Sequence, residues 1–467
     1  MQTQTNASEA STPTLAHALA AFAHDLDLAD VPAAVKRQAG LCILDTIGCM
    51  LAGAASPDGM ALFNAERALA ANGGTARVIG TAVALPAESV ARILGYWGDV
   101  FELNDLIGGH ASIGNVSAAL ALVEDCGSSG GALLKAVIAG IEITSRIYTS
   151  VYASLKPYTD VPMVTPGVVC AFGAAAVAAS LHGLSLDATR EALLVAGTLT
   201  TWCPAEAIFG DGGTVKPLLF GAWPAAVGLR AAGYAEHGLT GPRRLLESDI
   251  GLLAMLARDA DQDVVSNPGR WFLSEPRRKL HACCGYTHAA IDLTVALRQQ
   301  LGVDMLMRSR LRIEIPGYVI PAVSKSHLPG TPNEARFHLE YCVALAACGA
   351  DVILPAHSAD VAGHLQRTEL RHMLSNIDVV ADPSLVHYHQ SRITVLHEGR
   401  EVARQRLAGP VGSPQNPMTD DEVIDKFRRL TSHRLAEPAA TAYAQRFLNL
   451  ESEADCRWIQ DALLPRP

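Results

Sequence analysis

Aromatic side chains are scarce in this chain. Phe, Trp and Tyr together make up 5% of its 467 residues. Sandwiches and barrels draw heavily on aromatic and β-branched residues, so an all-β architecture is a poor fit. Charge is also thin, at 18% of residues, and its balance is acidic, with a formal net charge of −10. No basic run is present, which argues against nucleic acid as a partner. Long apolar runs are missing too. The stretch Gly167–His182 is too short and too rich in alanine to span a bilayer, and is expected to be a buried helix. No membrane partner is expected. Met1–Pro13 is polar and lacks the basic and apolar regions of a signal peptide. Residues 1–13 therefore read as a disordered leader. The ten cysteines read as reduced thiols of a cytoplasmic protein. No C-x-x-C pair and no H-E-x-x-H occurs, and adjacent cysteines cannot easily share one tetrahedral zinc, so no metal is expected.

What is present is small and apolar. Hydrophobic residues make up 49% of the chain; alanine and leucine supply much of that fraction and 39 glycines stand beside it, which favours closely packed helices. Helical patterns run through Thr14–Leu26, Ala33–Ala52, Gly114–Cys126, Gly130–Ala153, Gly167–His182, Ser185–Thr198 and Lys216–His237, punctuated by glycine and proline. Ser185 or Asp187 is the expected N-cap of its helix. After about residue 270 the texture changes. Leu311-Arg312-Ile313-Glu314-Ile315 alternates as a strand with one buried face, and Ile377–Val380 and Arg392–His397 also read as strands. Helical patterns at Ala289–Leu301, Asn333–Cys348 and Thr368–Leu374 surround them. Beyond Pro410 helices return at Thr419–Leu430, Ala436–Leu450 and Glu453–Leu463. The expected fold is mainly α: a large discontinuous all-helical domain (14–270 plus 396–467) with an inserted smaller α+β domain (271–395).

The densest chemistry lies in Lys279-Leu280-His281-Ala282-Cys283-Cys284-Gly285-Tyr286-Thr287-His288. One lysine, two histidines and two thiols in ten residues exceed what packing alone needs. A pocket for an anionic substrate explains them, and so does a core in which the thiols are buried and the histidines meet backbone. The core alternative leaves Lys279 unexplained; its ammonium is expected to be desolvated and matched to a substrate carboxylate. Three further segments carry candidates. In Glu102-Leu103-Asn104-Asp105-Leu106-Ile107-Gly108-Gly109-His110, acids and a histidine flank a Gly-Gly turn before a helix. In Gly210-Asp211-Gly212-Gly213-Thr214-Val215-Lys216-Pro217, a lysine follows a glycine-rich loop without phosphate-loop spacing. Tyr318 follows the strand 311–315. Each also fits an ordinary loop or turn.

Taken in order, these segments resemble the MmgE/PrpD family, which includes 2-methylcitrate dehydratases, cis-aconitate decarboxylases and an iminodisuccinate epimerase. The likeness runs from about residue 30 to 465. It rests on Leu44-Asp45-Thr46-Ile47-Gly48, Glu102–Asp105 with His110, Val215-Lys216-Pro217 with Gly241-Pro242, Lys279–His288 with Asp292, and Asn416-Pro417-Met418-Thr419 with Lys426-Phe427. The resemblance implies a homodimer without cofactor, with its site between the domains. It implies catalytic roles for His110, Lys216, Lys279 and Tyr318, and substrate contacts for Glu102, Asp105, His281 and His288. Three residues depart from the family pattern. Glu102 stands where aspartate is usual, Leu106 where threonine is common, and Val164 where many members carry histidine.

The chemistry implied is removal of a proton next to a carboxylate of a small polycarboxylate. Cationic lysines hold the carboxylates and stabilise enediolate-like charge, and His110 or a lysine of depressed pKa takes the proton. Expelling hydroxide gives a dehydratase, the leading expectation. Reprotonation on the other face gives an epimerase, and loss of CO₂ a decarboxylase. A non-catalytic helical dimer that binds a carboxylate is the alternative from another class.

Overall fold

Alanine and glycine decide how closely the helices meet. In the computed structural model, which describes residues 13–209 and 213–464, helix Pro166–His182 is buried along nearly its whole length. It lies against helices Gly130–Tyr152, Leu186–Leu199 and Trp223–Glu236. Such a helix needs no apolar stripe, because every face is core. The leader lies outside the described residues except for its last position, as do Gly210, Asp211 and Gly212 of the glycine-rich loop. The chain is mainly α, 56% helical. Ser185 caps its helix by accepting from the Ala188 amide at 3.2 Å.

Helix Ala87–Asp99 approaches the turn Leu218–Ala222 with glycine on both sides. A Cβ on Gly221 would stand 2.6 Å from the Gly95 carbonyl oxygen, so both positions must lack one. The stretch Lys216–His237, expected as one helix, opens there into a π turn before Trp223–Glu236. Such bulges recur at functional sites because they re-aim side chains.

One apolar core joins the N-terminal helices to the C-terminal ones. Helices Asp420–Thr431 and Glu437–Leu448 both lie on Ala33–Ala54. Thr419 starts the first of them with a capping box closed by Glu422. The expected helix Glu453–Leu463 is reduced to Trp458–Asp461, preceded by a short 3₁₀ turn.

A second core gathers the segments after residue 282 with Val164, Cys203 and Phe220. Its sheet has the strand order Ile377–Ala381, Arg310–Ile315, Ser391–His397, Arg400–Leu407. The first pair is parallel and the others antiparallel. Leu311, Ile313 and Ile315 face inward, as their alternation requires. The hairpin through Glu398-Gly399 carries the sheet to Leu407, past the boundary expected at 395. Strand Arg400–Leu407 escaped notice because it is an edge strand rich in arginine. Strand structure also occurs among the helices, as the two-residue ladder Ala76–Arg77 with Ala84–Leu85. The Asn333–Cys348 pattern breaks into Pro332–Arg336 and Leu339–Ala347, with His338 capping the second helix.

Among the described residues no single helix is long and apolar enough to cross a membrane.

Candidate functional site

The loop from Val100 to His110 is held from three sides. The Leu106 amide donates to the Arg277 carbonyl at 2.7 Å, which ties the loop to the segment carrying Lys279. From the C-terminal helix, buried Lys426 donates to the Leu103 carbonyl at 2.9 Å and pairs with Asp45 at 2.8 Å. Gly108 and Gly109 adopt left-handed φ of 50° and 67°. A Cβ on Gly109 would stand 2.4 Å from the Tyr148 ring. His110 follows at φ 75° as the residue before helix Ala111–Leu122. The expected start at Gly114 comes three residues earlier, because the glycine turn ends the loop at His110.

Three of the four catalytic candidates converge here. Lys216 donates to both Asp99 oxygens, at 2.7 and 2.8 Å, and pairs with Glu102 Oε2. Lys279 pairs with Glu102 Oε1 at 2.5 Å and donates to the Glu102 carbonyl at 3.0 Å. One carboxylate therefore bridges two ammonium groups, all of them buried. The expectation that Lys279 awaits a substrate partner is corrected: Glu102 already supplies its counter-charge. Burial opposes ionisation of Glu102, but Lys216 and Lys279 together outweigh it and hold its carboxyl below the usual range. Burial likewise opposes charge on Lys216, but Asp99 and Glu102 outweigh it and raise its pKa. A depressed lysine at Lys216 is thereby excluded as the base. Phe220, on the π turn, places its ring 4.4 Å from the Lys216 ammonium and edge-on to His110 at 5.4 Å.

His110 is held in one tautomer. Burial pushes the Asp99 carboxyl up to about 6 against the pull of Lys216; above that pH it is ionised and only accepts, so the Asn104 amide nitrogen, 2.7 Å away, donates to it. The Asn104 oxygen then faces His110 Nδ1 at 2.6 Å, and an amide oxygen only accepts. Nδ1 therefore carries the proton and Nε2 presents its lone pair, 4.0 Å from Glu102 Oε1. Burial, reinforced by Lys279, pushes the imidazole pKa well below 6.5, so the ring is neutral at ordinary pH. A neutral imidazole with a free Nε2 beside two ammonium groups is chemically a base next to an anion clamp.

The other candidates stand elsewhere. His281 is saturated: Nε2 meets Asp292 at 2.8 Å and Nδ1 accepts from the Ile353 amide at 3.1 Å. His288 lies edge-on to His281, and its Nε2 donates to the Cys283 carbonyl at 3.3 Å. Neither bonds to the lysine cluster. Asp105 is buried and accepts from the Ile107 amide at 3.2 Å, without touching either lysine. Burial pushes its carboxyl up to about 6. Tyr318 is 56% exposed and bonds to neither lysine nor to His110. Val164 is buried in the second core, its amide donating to the Cys203 carbonyl at 2.9 Å. Among the described residues no group of three or more His, Cys, Asp or Glu side chains could hold a metal ion.

The MmgE/PrpD N-terminal domain matches residues 17–264 and the MmgE/PrpD C-terminal domain matches residues 281–451. The chain belongs to the MmgE/PrpD family. Curated relatives include a cis-aconitate decarboxylase from Mus musculus, 26% identical over 70% of this chain and 67% of its own. A cis-aconitate decarboxylase-like protein, oryM, from Aspergillus oryzae is 25% identical over 92% and 93% of the two chains. A cis-aconitate decarboxylase from Aspergillus terreus is 24% identical over 93% and 92%. Two of these relatives are named decarboxylases, and the chain is an enzyme of the MmgE/PrpD type.

Two residues of this family member's site escaped the sequence reading. Asp99 ends an apolar helix and looks like a capping acid. Asn104 sits inside the quoted loop but has no titratable group to draw attention. Their signal is positional: a buried acid and a buried amide, 1% exposed each, eleven and six residues before a histidine.

Proposed function

We propose that this protein is a lyase that breaks a bond next to a carboxylate of a small polycarboxylate, with decarboxylation of a cis-aconitate-like acid as its reaction. The observation that carries the reading is the bridge of Lys216 and Lys279 by one buried carboxylate, beside the free Nε2 of His110. A substrate carboxylate that takes the place of the Glu102 side chain meets two fixed ammonium groups in a dry site. There, charge that develops as CO₂ leaves is stabilised without solvent reorganisation. Loss of CO₂ leaves the bonding electron pair on carbon, and a solvent proton passed through Nε2 of His110 forms the new C–H bond, because the Nδ1 proton is committed to Asn104. The names of the relatives favour decarboxylation over the dehydration expected from family breadth.

The test is NMR in D₂O with the purified protein and cis-aconitate, 2-methylcitrate and iminodisuccinate in turn. Release of CO₂ with one deuterium gained by the product supports the proposal. Formation of an alkene from methylcitrate, or exchange of the α-proton of iminodisuccinate without net loss, replaces it with dehydration or epimerisation. No turnover with any polycarboxylate leaves a carboxylate-binding module.

A further inference from the structure

A cleft opens next to the chain neighbours of Glu102 and Lys279. It measures about 1260 Å³ and lies between the turn after helix Ala33–Ala54, the helices Pro332–Arg336 and Pro355–Ala359, and the C-terminal helix Asp420–Thr431. Phe101 and Leu280 form part of its wall. They are the chain neighbours of Glu102 and Lys279, so the cleft adjoins the cluster, although neither lysine nor Glu102 lines it.

Arg336 lines this cleft and is 5% exposed. Its Nε donates to Ser358 at 3.0 Å, and its guanidinium lies 5.4 Å from the Phe101 ring centroid. Among the described residues no carboxylate pairs with it within 4.0 Å, and Nη1 and Nη2 make no hydrogen bond. The acids around the cleft are otherwise engaged. Asp425 and Glu437 both pair with Arg428, and Glu422 closes the cap at Thr419. Asp58 is the largest favourable charge acting on Arg336, yet it stands beyond ion-pair distance. A buried guanidinium without a partner is costly, and its two free Nη groups match the two oxygens of a carboxylate. Leu354, Met418 and Leu430 offer apolar surface beside it. Burial lowers the pKa of Arg336 only to about 10, so the group is cationic at neutral pH.

We propose that this cleft is a second binding site, separate from the lysine pair, for a small organic carboxylate anchored by Arg336. The inference does not depend on which reaction the lysine cluster performs.

The test is calorimetric titration of the full chain with sodium succinate at constant ionic strength. Four variants accompany the wild type: Arg336→Gln, Arg336→Lys, Ala356→Trp and Lys279→Met. Ala356 is exposed at the mouth of the cleft, so Ala356→Trp blocks it without touching Arg336. The expected result is binding that Lys279→Met keeps, that Arg336→Gln and Ala356→Trp abolish, and that Arg336→Lys weakens about tenfold through loss of the two-pronged contact. Should Arg336→Gln fail to fold, Ala356→Trp decides alone. Succinate binding that survives in Ala356→Trp but vanishes in Lys279→Met places the ligand at the lysines and overturns the proposal. Absence of any saturable binding to the wild type overturns it as well.

Discussion

Lys279 holds Glu102 twice, through the side-chain carboxylate at 2.5 Å and the main-chain carbonyl at 3.0 Å. Glu102 needs that grip, because its backbone sits at φ 54°, a left-handed conformation that costs a residue with a side chain about 1–3 kcal/mol. The lysine is therefore at once a counter-ion and a clamp on strained backbone.

Lys279→Met is expected to lower stability and abolish turnover together. A buried lysine with no partner would gain from losing its charge, but this one leaves behind a carboxylate and a carbonyl. Breaking one side of a buried pair costs about 3–5 kcal/mol, softened here because Lys216 still holds Glu102. Loss of one preorganised cation costs kcat/KM about 100-fold or more. Thermal unfolding and steady-state kinetics check both, and an unchanged or raised Tm would falsify the double role.

Glu102→Gln tests whether Glu102 and substrate compete. The variant leaves Lys279 without a counter-ion, so it should unfold at lower temperature than wild type without ligand. A substrate polycarboxylate such as cis-aconitate should then stabilise it more than it stabilises wild type, because no internal carboxylate needs displacing. Equal ligand-induced shifts in the two proteins would mean that the substrate does not displace Glu102.

Much of this was legible in the sequence, for a physical reason. Lys216, Lys279, Glu102 and His110 are charged or titratable residues set in apolar, glycine-flanked segments, where packing gives them no purpose. The strand at 311–315 showed itself by alternation, and the buried helix at 167–182 by its small residues. What stayed hidden depended on partners distant in sequence. His281 looked like a site residue until Asp292 and the Ile353 amide took both its nitrogens. Asp99 gained meaning only through Lys216, which lies 117 positions away. The π turn at Leu218–Ala222 leaves no pattern in composition, since its cause is the approach of Gly95 to Gly221.

Asp105→Asn should gain stability on wild type as pH rises. The folded pKa of Asp105 is about 6 and its unfolded value about 3.9, so between these pH values the folded state binds more protons than the unfolded one. Wild-type stability from this group is thus highest below about pH 4 and falls until about pH 6, after which it is flat. The shift corresponds to a cost of about 3 kcal/mol at neutral pH. Urea unfolding of both proteins from pH 4 to 8 measures the difference, and a gap that does not widen with pH refutes an ionised, poorly compensated Asp105.

Asn104→Ala is expected to disable the base without touching the clamp. Asn104 links Asp99 to His110, with its amide nitrogen donating 2.7 Å to the acid and its oxygen taking the Nδ1 proton at 2.6 Å. Without that acceptor the imidazole has no reason to keep its proton on Nδ1. A proton on Nε2 instead removes the lone pair that faces the cluster. The lysines and Glu102 keep their mutual contacts, so substrate binding and KM should change little. A lost general base costs about 10²–10⁴ in kcat. Asn104→Asp separates positioning from mere filling of space. It keeps an acceptor for Nδ1 and favours the charged imidazole, so it should shift the pH dependence of kcat upward relative to wild type. A uniform drop in both variants, with an unshifted profile and a raised KM, would reduce Asn104 to a structural residue and leave the proton relay without its orienting partner.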